Sequence, residues 1–190
     1  MGSTYIEAQT FEKIDFAAKP LPTGEYETCT FITCNFSNTD LSQITFSDCE
    51  FTGCNLSSAT LTKTAFKNVK FNECKLVGLH FENCSAFLFE VYFENCSLNL
   101  SAFYKLKLKK TLFRNSILHE VDFTEADLTN SIFNNCDLTR AIFENTILEK
   151  ADFRTSYNYS IDPELNRMKK AKFSMAGILG LLDKYDIDVD

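Results

Sequence analysis

Eight cysteines and two histidines are the side chains of this chain best suited to bind a metal or to act in covalent catalysis. Thiolates and imidazoles are the usual ligands of zinc, and a histidine beside a cysteine can activate it as a nucleophile. His80 and His119 are far apart in the sequence, and no metal-binding spacing of His and Cys is present. No glycine-rich phosphate loop or nucleophile elbow occurs either. We therefore expect no metal, no cofactor and no enzymatic activity.

The cysteines belong instead to a five-residue period that runs through most of the chain. Steps of five from Tyr26 to Phe81, and again from Leu88 to Phe153, meet only Phe, Leu or Tyr at 26 positions. The residue two places before each of these is small in all but three units, and the remaining positions are mostly polar. Five fits neither the 3.6-residue period of a helix nor the two-residue period of a strand. It indicates a chain that turns a corner once per unit and stacks on itself.

The period slips once, between Phe81 and Leu88, where seven residues separate the two large apolar positions. The same slip places the word FENCS at residues 81–85 and again at 93–97. We predict a two-residue insertion within 82–90, a bulge or small loop, in which Phe87 or Phe89 fills the irregularity.

The pattern resembles the pentapeptide-repeat family, whose consensus is A(D/N)LXX. Residues 126–130 (ADLTN) and 151–155 (ADFRT) match it closely, and the resemblance covers residues 26–155. It implies an all-β solenoid, a right-handed quadrilateral β-helix with four units and 20 residues per coil. On that basis residues 1–25 form a start-up coil and loop, and residues 26–155 form the repeat.

Seven cysteines occupy the small position of the unit, and Cys84 has the same phase at the slip. With 20 residues per coil, Cys34, Cys54 and Cys74 stack in one column about 4.8 Å apart, which is within disulfide range. Disulfides and a metal are the alternatives. Packing as free, small, buried hydrophobes is favoured because no secretory signal precedes the repeat.

Residues 156–190 lack the period and are predicted to form a C-terminal helical module. Asp162 and Pro163 suit a helix start, and a second helix is expected from Ser174. Its apolar stripe has two alternative roles, a cap over the last coil or a dimer interface. The second follows from the resemblance, because topoisomerase-protecting members of the family dimerise through such modules. The stripe consists of Ile178, Leu181, Leu182 and Tyr185.

The net charge of −7 and the pI near 4.9 argue against direct binding of nucleic acid. No apolar span or leader is visible, so we expect a cytoplasmic protein without membrane contact. Residues 95–119 are basic, with Lys105, Lys107, Lys109, Lys110 and Arg114 and no acid. Residues 120–152 are acidic and contain Glu120, Asp122, Glu125, Asp127, Asp137, Glu144, Glu149 and Asp152.

The acidic segment and the tail resemble the Qnr-type and microcin-immunity members of the family. This resemblance implies a homodimer that mimics DNA, binds DNA gyrase or topoisomerase IV through those eight acidic residues, and confers resistance or immunity to a drug or toxin. The alternative is a structural scaffold for an unrelated protein. One further pattern leaves two interpretations open: Tyr92, Leu112 and Ile132 form either ordinary outward ladder packing or a docking strip for the C-terminal helix or a partner.

Overall fold

Parallel pairing between segments one coil apart builds the molecule, as described for residues 4–188 by a computed structural model. Phe31 pairs with Phe51, and Tyr26 with Phe46, each 20 residues further along the chain. The result is a parallel β-solenoid of about seven turns with very little helix. Its strands are β1 (Thr4–Glu7), β2 (Thr10–Glu12), β3 (Gly24–Glu27), β4 (Thr30–Ile32), β5 (Thr45–Ser47), β6 (Glu50–Thr52), β7 (Ala65–Lys67), β8 (Val69–Asn72), β9 (Val91–Glu94), β10 (Leu112–Arg114) and β11 (Ile132–Asn134).

Four ladders run along the solenoid and define four faces. Face A is the seven-stranded sheet from β2 to β11, and face D begins as the four-stranded sheet β1-β3-β5-β7. Faces B and C are ladders of isolated bridges, such as Ser97 with Ile117 on face B and Ala102 with Asp122 on face C. Face D continues after the slip through Lys107, Asp127, Ile147 and Arg167. One coil visits D, A, B and C in that order.

The predicted inward residues form the core: 25 of the 26 are buried. After the slip Phe fills the opposite faces A and C, and Leu fills B and D, as the alternation of the sequence indicates. Rings stack along a face and meet edge to face across a coil, an arrangement that suits the charge distribution of aromatic rings. Phe103 stacks on Phe123 at 5.3 Å, whereas Phe113 meets Phe123 at 82°.

Nearly every corner is made by a residue with positive φ, two places after the inward large residue. Gly53 and Gly78 take this conformation without strain, but 27 other residues adopt it as well. The corner amide is not left unpaired, because it donates to the next coil; Glu120 N, for example, lies 3.0 Å from Thr139 O. This bond helps to hold ordinary residues in a conformation they rarely adopt.

The predicted insertion is confirmed, because Val69 pairs with Val91, two residues beyond the regular register. The expected position of Leu88 is wrong: this residue is 63% exposed and has φ of +56°. The extra residues carry Phe87 and Leu88 outward around the corner. Phe89 takes the inward site instead, with its ring 6.5 Å from that of Phe66 and 6.3 Å from that of Phe81. A 3₁₀ helix, Phe81–Asn83, precedes the insertion.

The repeat extends further at its C-terminal end than the sequence predicts. Arg167 pairs with Ile147 and Lys172 with Asp152, so the expected boundary at residue 155 is wrong. The helix start expected at Asp162 is also wrong. Residues 163–165 form a turn, in which the carboxylate of Asp162 accepts the Glu164 amide at 2.8 Å.

The predicted α-helical stripe near the C-terminus is absent; two 3₁₀ helices, Ala176–Leu181 and Asp183–Tyr185, stand in its place. Gly177 and Gly180 lower the α-helical propensity there. The carbonyl of Gly180 accepts the amide of Ile161 at 2.8 Å, which ties the segment to the last coil. A specific helical cap is therefore not confirmed. Residues 1–3 and 189–190 of the two predicted end segments lie outside the described part.

Candidate functional site

The eight predicted acidic site residues are spread over all four faces. Because five residues advance the chain by one face, neighbours in the sequence point in different directions. Face C and its two corners hold four of them, which we call the acidic face: Glu120, Asp122, Glu125 and Glu144. The amide of Glu125 donates to the carbonyl of Glu144 at 2.8 Å, so these two lie in adjacent coils. The other four lie on face D (Asp127 and Glu149), face B (Asp137) and face A (Asp152).

Ion pairs neutralise most of this charge. Within the acidic face, Glu120 contacts Arg140 at 3.1 Å and Glu125 contacts Lys105 at 3.5 Å. Outside it the partners are Lys109 for Asp127, His119 for Asp137, Arg167 for Glu149, and Arg154 with Lys172 for Asp152. Among residues 4–188, Asp122 and Glu144 have no cationic group within ion-pair distance. These two carboxylates are the ones left to attract a cationic partner.

Four of the aspartates also have a structural role that the sequence reasoning missed. Each stands just before an inward residue, and its carboxylate accepts the amide two residues later. The Oδ1–N distance is 2.8 Å from Asp122 to Thr124 and 3.1 Å from Asp127 to Thr129. Asp137 and Asp152 make the same bond. The D/N of the consensus is thus a turn residue, which sequence position alone could have suggested.

Hydrogen bonding keeps the most enclosed of these carboxylates ionised. Burial alone would raise the pKa of Asp137, but hydrogen bonds from Thr139, His119 and Asn158 outweigh it and lower that pKa to about 2. For Asp127, burial is likewise outweighed, by Thr129 and Lys109, and its pKa is lowered. Both groups are charged at neutral pH, and their charge is used within the protein.

The predicted dimer residues do not share one surface. Ile178 and Tyr185 are 43% and 51% exposed, whereas Leu181 packs against the core and Leu182 is half-buried. The Tyr185 hydroxyl donates to Glu164 at 3.0 Å, which orients it along the last coil. Sequence periodicity missed two exposed neighbours of Ile178, because they are off the α-helical stripe: Met175 and Leu179.

The cysteines are free and buried, all eight of them. Their thiols donate to backbone carbonyls of the adjacent coil, as Cys49 does to Tyr26 at 3.3 Å. In residues 4–188 no group of three or more His, Cys, Asp or Glu side chains is arranged to hold a metal. No helix in the same range has the length and apolarity needed to cross a membrane.

The comparisons with known proteins agree with this architecture. A family model described as "Pentapeptide repeat region" matches residues 25–86 and 86–157, so the two matches meet inside the insertion. The chain belongs to the pentapeptide repeat family. The resemblance stated from the consensus motifs is thereby confirmed.

Solved structures of pentapeptide repeat proteins match along nearly the whole length. A trypsin-treated form of QnrB1, a plasmid-mediated fluoroquinolone resistance protein, is 20% identical, with a TM-score of 0.53 over 98% of this chain and 92% of that one. HetL, a pentapeptide repeat protein involved in heterocyst differentiation regulation in the cyanobacterium Nostoc, is 16% identical, with a TM-score of 0.46 over 90% and 85%. No curated protein matches by sequence.

Proposed function

We propose that this pentapeptide repeat protein is a non-enzymatic DNA mimic that binds a type II topoisomerase, DNA gyrase or topoisomerase IV, in the cytoplasm. By occupying the enzyme it confers resistance or immunity to a drug or toxin that acts there. The full-length likeness to the QnrB1 fold supports this proposal, since QnrB1 is a resistance protein.

The acidic face is the observation that carries the proposal. Its four carboxylates lie in two adjacent coils, about 10 Å of the rod axis, which is roughly one charge per 2.5 Å. Duplex DNA carries one per ~1.7 Å, so the local density approaches that of DNA. Asp122 and Glu144 lack internal cationic partners, and Glu120 and Glu125 can exchange theirs because both contacts are exposed.

A supercoiling assay with the purified enzyme tests the proposal. The protein is added with and without a quinolone or a peptide toxin, and we expect it to restore supercoiling under the inhibitor. A variant that neutralises the acidic face should lose this effect; it combines Glu120→Gln, Asp122→Asn, Glu125→Gln and Glu144→Gln. Asn retains the turn bond of Asp122, so folding is preserved. The matched control, Asp137→Asn with Asp152→Asn, removes charge from faces B and A and should remain active.

We also propose a right-handed coil and a homodimer formed at the C-terminal end, which would join two rods and double the acidic surface. The exposed side chains of Met175, Ile178 and Leu179 support such an interface. Ile178→Asp should give a folded monomer in sedimentation analysis. Leu181→Asp should instead destabilise the last coil, because Leu181 packs against the core. An Ile178→Asp variant that remains dimeric would contradict the proposed interface.

A scaffold for an unrelated protein is the second candidate. The outward ladder on face A favours it: Tyr92 and Leu112 are half-buried and Ile132 is 44% exposed, which leaves an apolar strip facing solvent. If the wild-type protein changes supercoiling in neither condition, the topoisomerase proposal fails and the scaffold is retained.

A further inference from the structure

Face D carries an exposed apolar pair beside a lysine-rich strip. Phe87 and Leu88, turned outward by the insertion, are 72% and 63% exposed. In the coils that follow, the outward and corner positions of face D hold seven cationic side chains, which we call the basic strip: Lys107, Lys109, Lys110, Lys150, Arg167, Lys169 and Lys170.

The acids of this stretch leave most of the strip uncompensated. Asp127 is paired with Lys109 at 3.1 Å, and Glu149 with Arg167 at 2.7 Å. Five lysines of the strip have no ion-pair partner among residues 4–188. An acidic protein thus presents a cationic face, opposite the face that bears Asp137.

The continuity of the other faces places the apolar pair and the strip on the same side. Across the insertion, Phe71 pairs with Phe93 on face A, Lys75 with Ser97 on face B, and His80 with Ala102 on face C. Residues 85–90 must therefore lie on the remaining face, which the Phe66–Phe89 ring contact confirms. At about 4.8 Å per coil, the strip begins one coil after Phe87 and extends for about 15 Å.

We propose that face D binds the surface of an anionic phospholipid membrane, with Phe87 and Leu88 entering the boundary between headgroups and acyl chains. Stable peripheral binding needs two signals, an apolar insertion and a basic patch, and this face supplies both. Clusters of four to eight basic residues suit anionic lipid headgroups. The acidic residues on faces B and C do not prevent the approach, because charges beyond about 8 Å are largely screened at physiological ionic strength.

The composition of the strip favours lipid over the other polyanions. Lysine is depleted in protein interfaces, and arginine is the usual residue for bidentate phosphate recognition in nucleic acids. Here six of the seven cations are lysines. Contacts to a phosphate backbone would also leave Phe87 and Leu88 without a role. Glu90, the acid nearest the pair in sequence, accepts a hydrogen bond from the Tyr92 hydroxyl toward face A.

Vesicle co-sedimentation tests the proposal with the full chain in 0.1 M NaCl. Vesicles contain phosphatidylcholine alone or with 30% phosphatidylserine, and a 20-base-pair DNA duplex serves as the alternative polyanion. We expect binding to the serine-containing vesicles only. Phe87→Ser with Leu88→Ser should weaken it at least tenfold. Lys110→Asn, Lys150→Asn and Lys170→Asn together should weaken it about 100-fold, since each basic residue contributes roughly fivefold.

The matched control is Lys13→Asn with Lys75→Gln, which removes cations from another corner and from face B and should bind like the wild type. Asn suits the positive φ at the corner positions, and thermal unfolding checks that each variant is folded. Equal binding to both vesicle types would overturn the proposal. So would binding to the duplex without binding to vesicles, or affinity unchanged by the Phe87 and Leu88 substitutions.

Discussion

The ring of Phe113 lies parallel to the ring of Phe133 in the next coil, with centroids 4.8 Å apart and planes within 4° of each other. The separation equals the spacing of paired strands, so the backbone ladder and the aromatic stack share one repeat distance. Each ring thereby contacts its equivalent above and below, and the core has no gap between coils. Loss of one ring should therefore affect both neighbours.

Phe113→Ala should lower the free energy of unfolding by about 3–5 kcal/mol, because it leaves a cavity that the ladders on four sides hold open. Leu112→Ala, one residue away and half-buried on the outer side, should cost clearly less. Chemical denaturation of both variants measures the difference. Similar losses would mean that the inward and outward assignment is wrong.

Leu100→Asn should stabilise the protein. Leu100 is 56% exposed and holds φ of +61°, a conformation that costs an ordinary residue about 1–2 kcal/mol and that Asn tolerates better. We expect a gain of about 0.5–1 kcal/mol in denaturant unfolding. Leu98→Asn, two residues earlier in the core, should instead cost about 3 kcal/mol or more. A loss at Leu100 would show that its side chain contributes more than its strain costs.

The thiols should be free but slow to react. Burial raises the pKa of Cys49 to about 12 and that of Cys136 to about 11, so little thiolate forms at pH 8. Native protein should react with a thiol reagent over hours, and denatured protein should release all eight thiols without reductant. Fewer than eight in the denatured sample would reveal disulfides or oxidation.

Asp137 should contribute stability that is lost in acid. Its pKa falls from the ordinary 3.8 to about 2 on folding, so the contribution is complete above pH ~4 and disappears as the pH falls through 2. Allowing for solvent screening, it amounts to about 1–2 kcal/mol. Asp137→Asn should therefore be less stable than the wild type at pH 6 and nearly equal at pH 2. An equal gap at both pH values would exclude the charge as its cause.

The sequence predicted the core well because one rule, a large apolar residue every five, is enforced by burial at each step. It failed at Leu88, where two apolar candidates compete and only the path of the insertion decides for Phe89. It could not indicate the corner conformation, since Leu100, Glu120 and Lys150 occupy a position that no residue type marks. The tail was misjudged because Gly177 and Gly180 permit a backbone that follows Tyr159 closely.

The acidic surface illustrates a different error. Glu120 to Asp152 were grouped because they are close in sequence, but in a four-sided coil a shared surface comes from residues about 20 apart. Asp122 and Asp127 belong to adjacent faces, and Asp122 shares its face with Glu144. The period itself contained this information, and the eight residues could have been sorted by face before any coordinates were known.

The four-sided coil also determines which insertions and deletions this lineage can tolerate. Gain or loss of 20 residues lengthens or shortens the rod by one coil and leaves every downstream surface in line. A change of five residues keeps all inward side chains inward, yet it rotates everything downstream by a quarter turn. Such an event between Phe81 and Phe103 would leave a stable protein whose acidic face points to a new side, so binding specificity can change in one genetic step while the fold is retained.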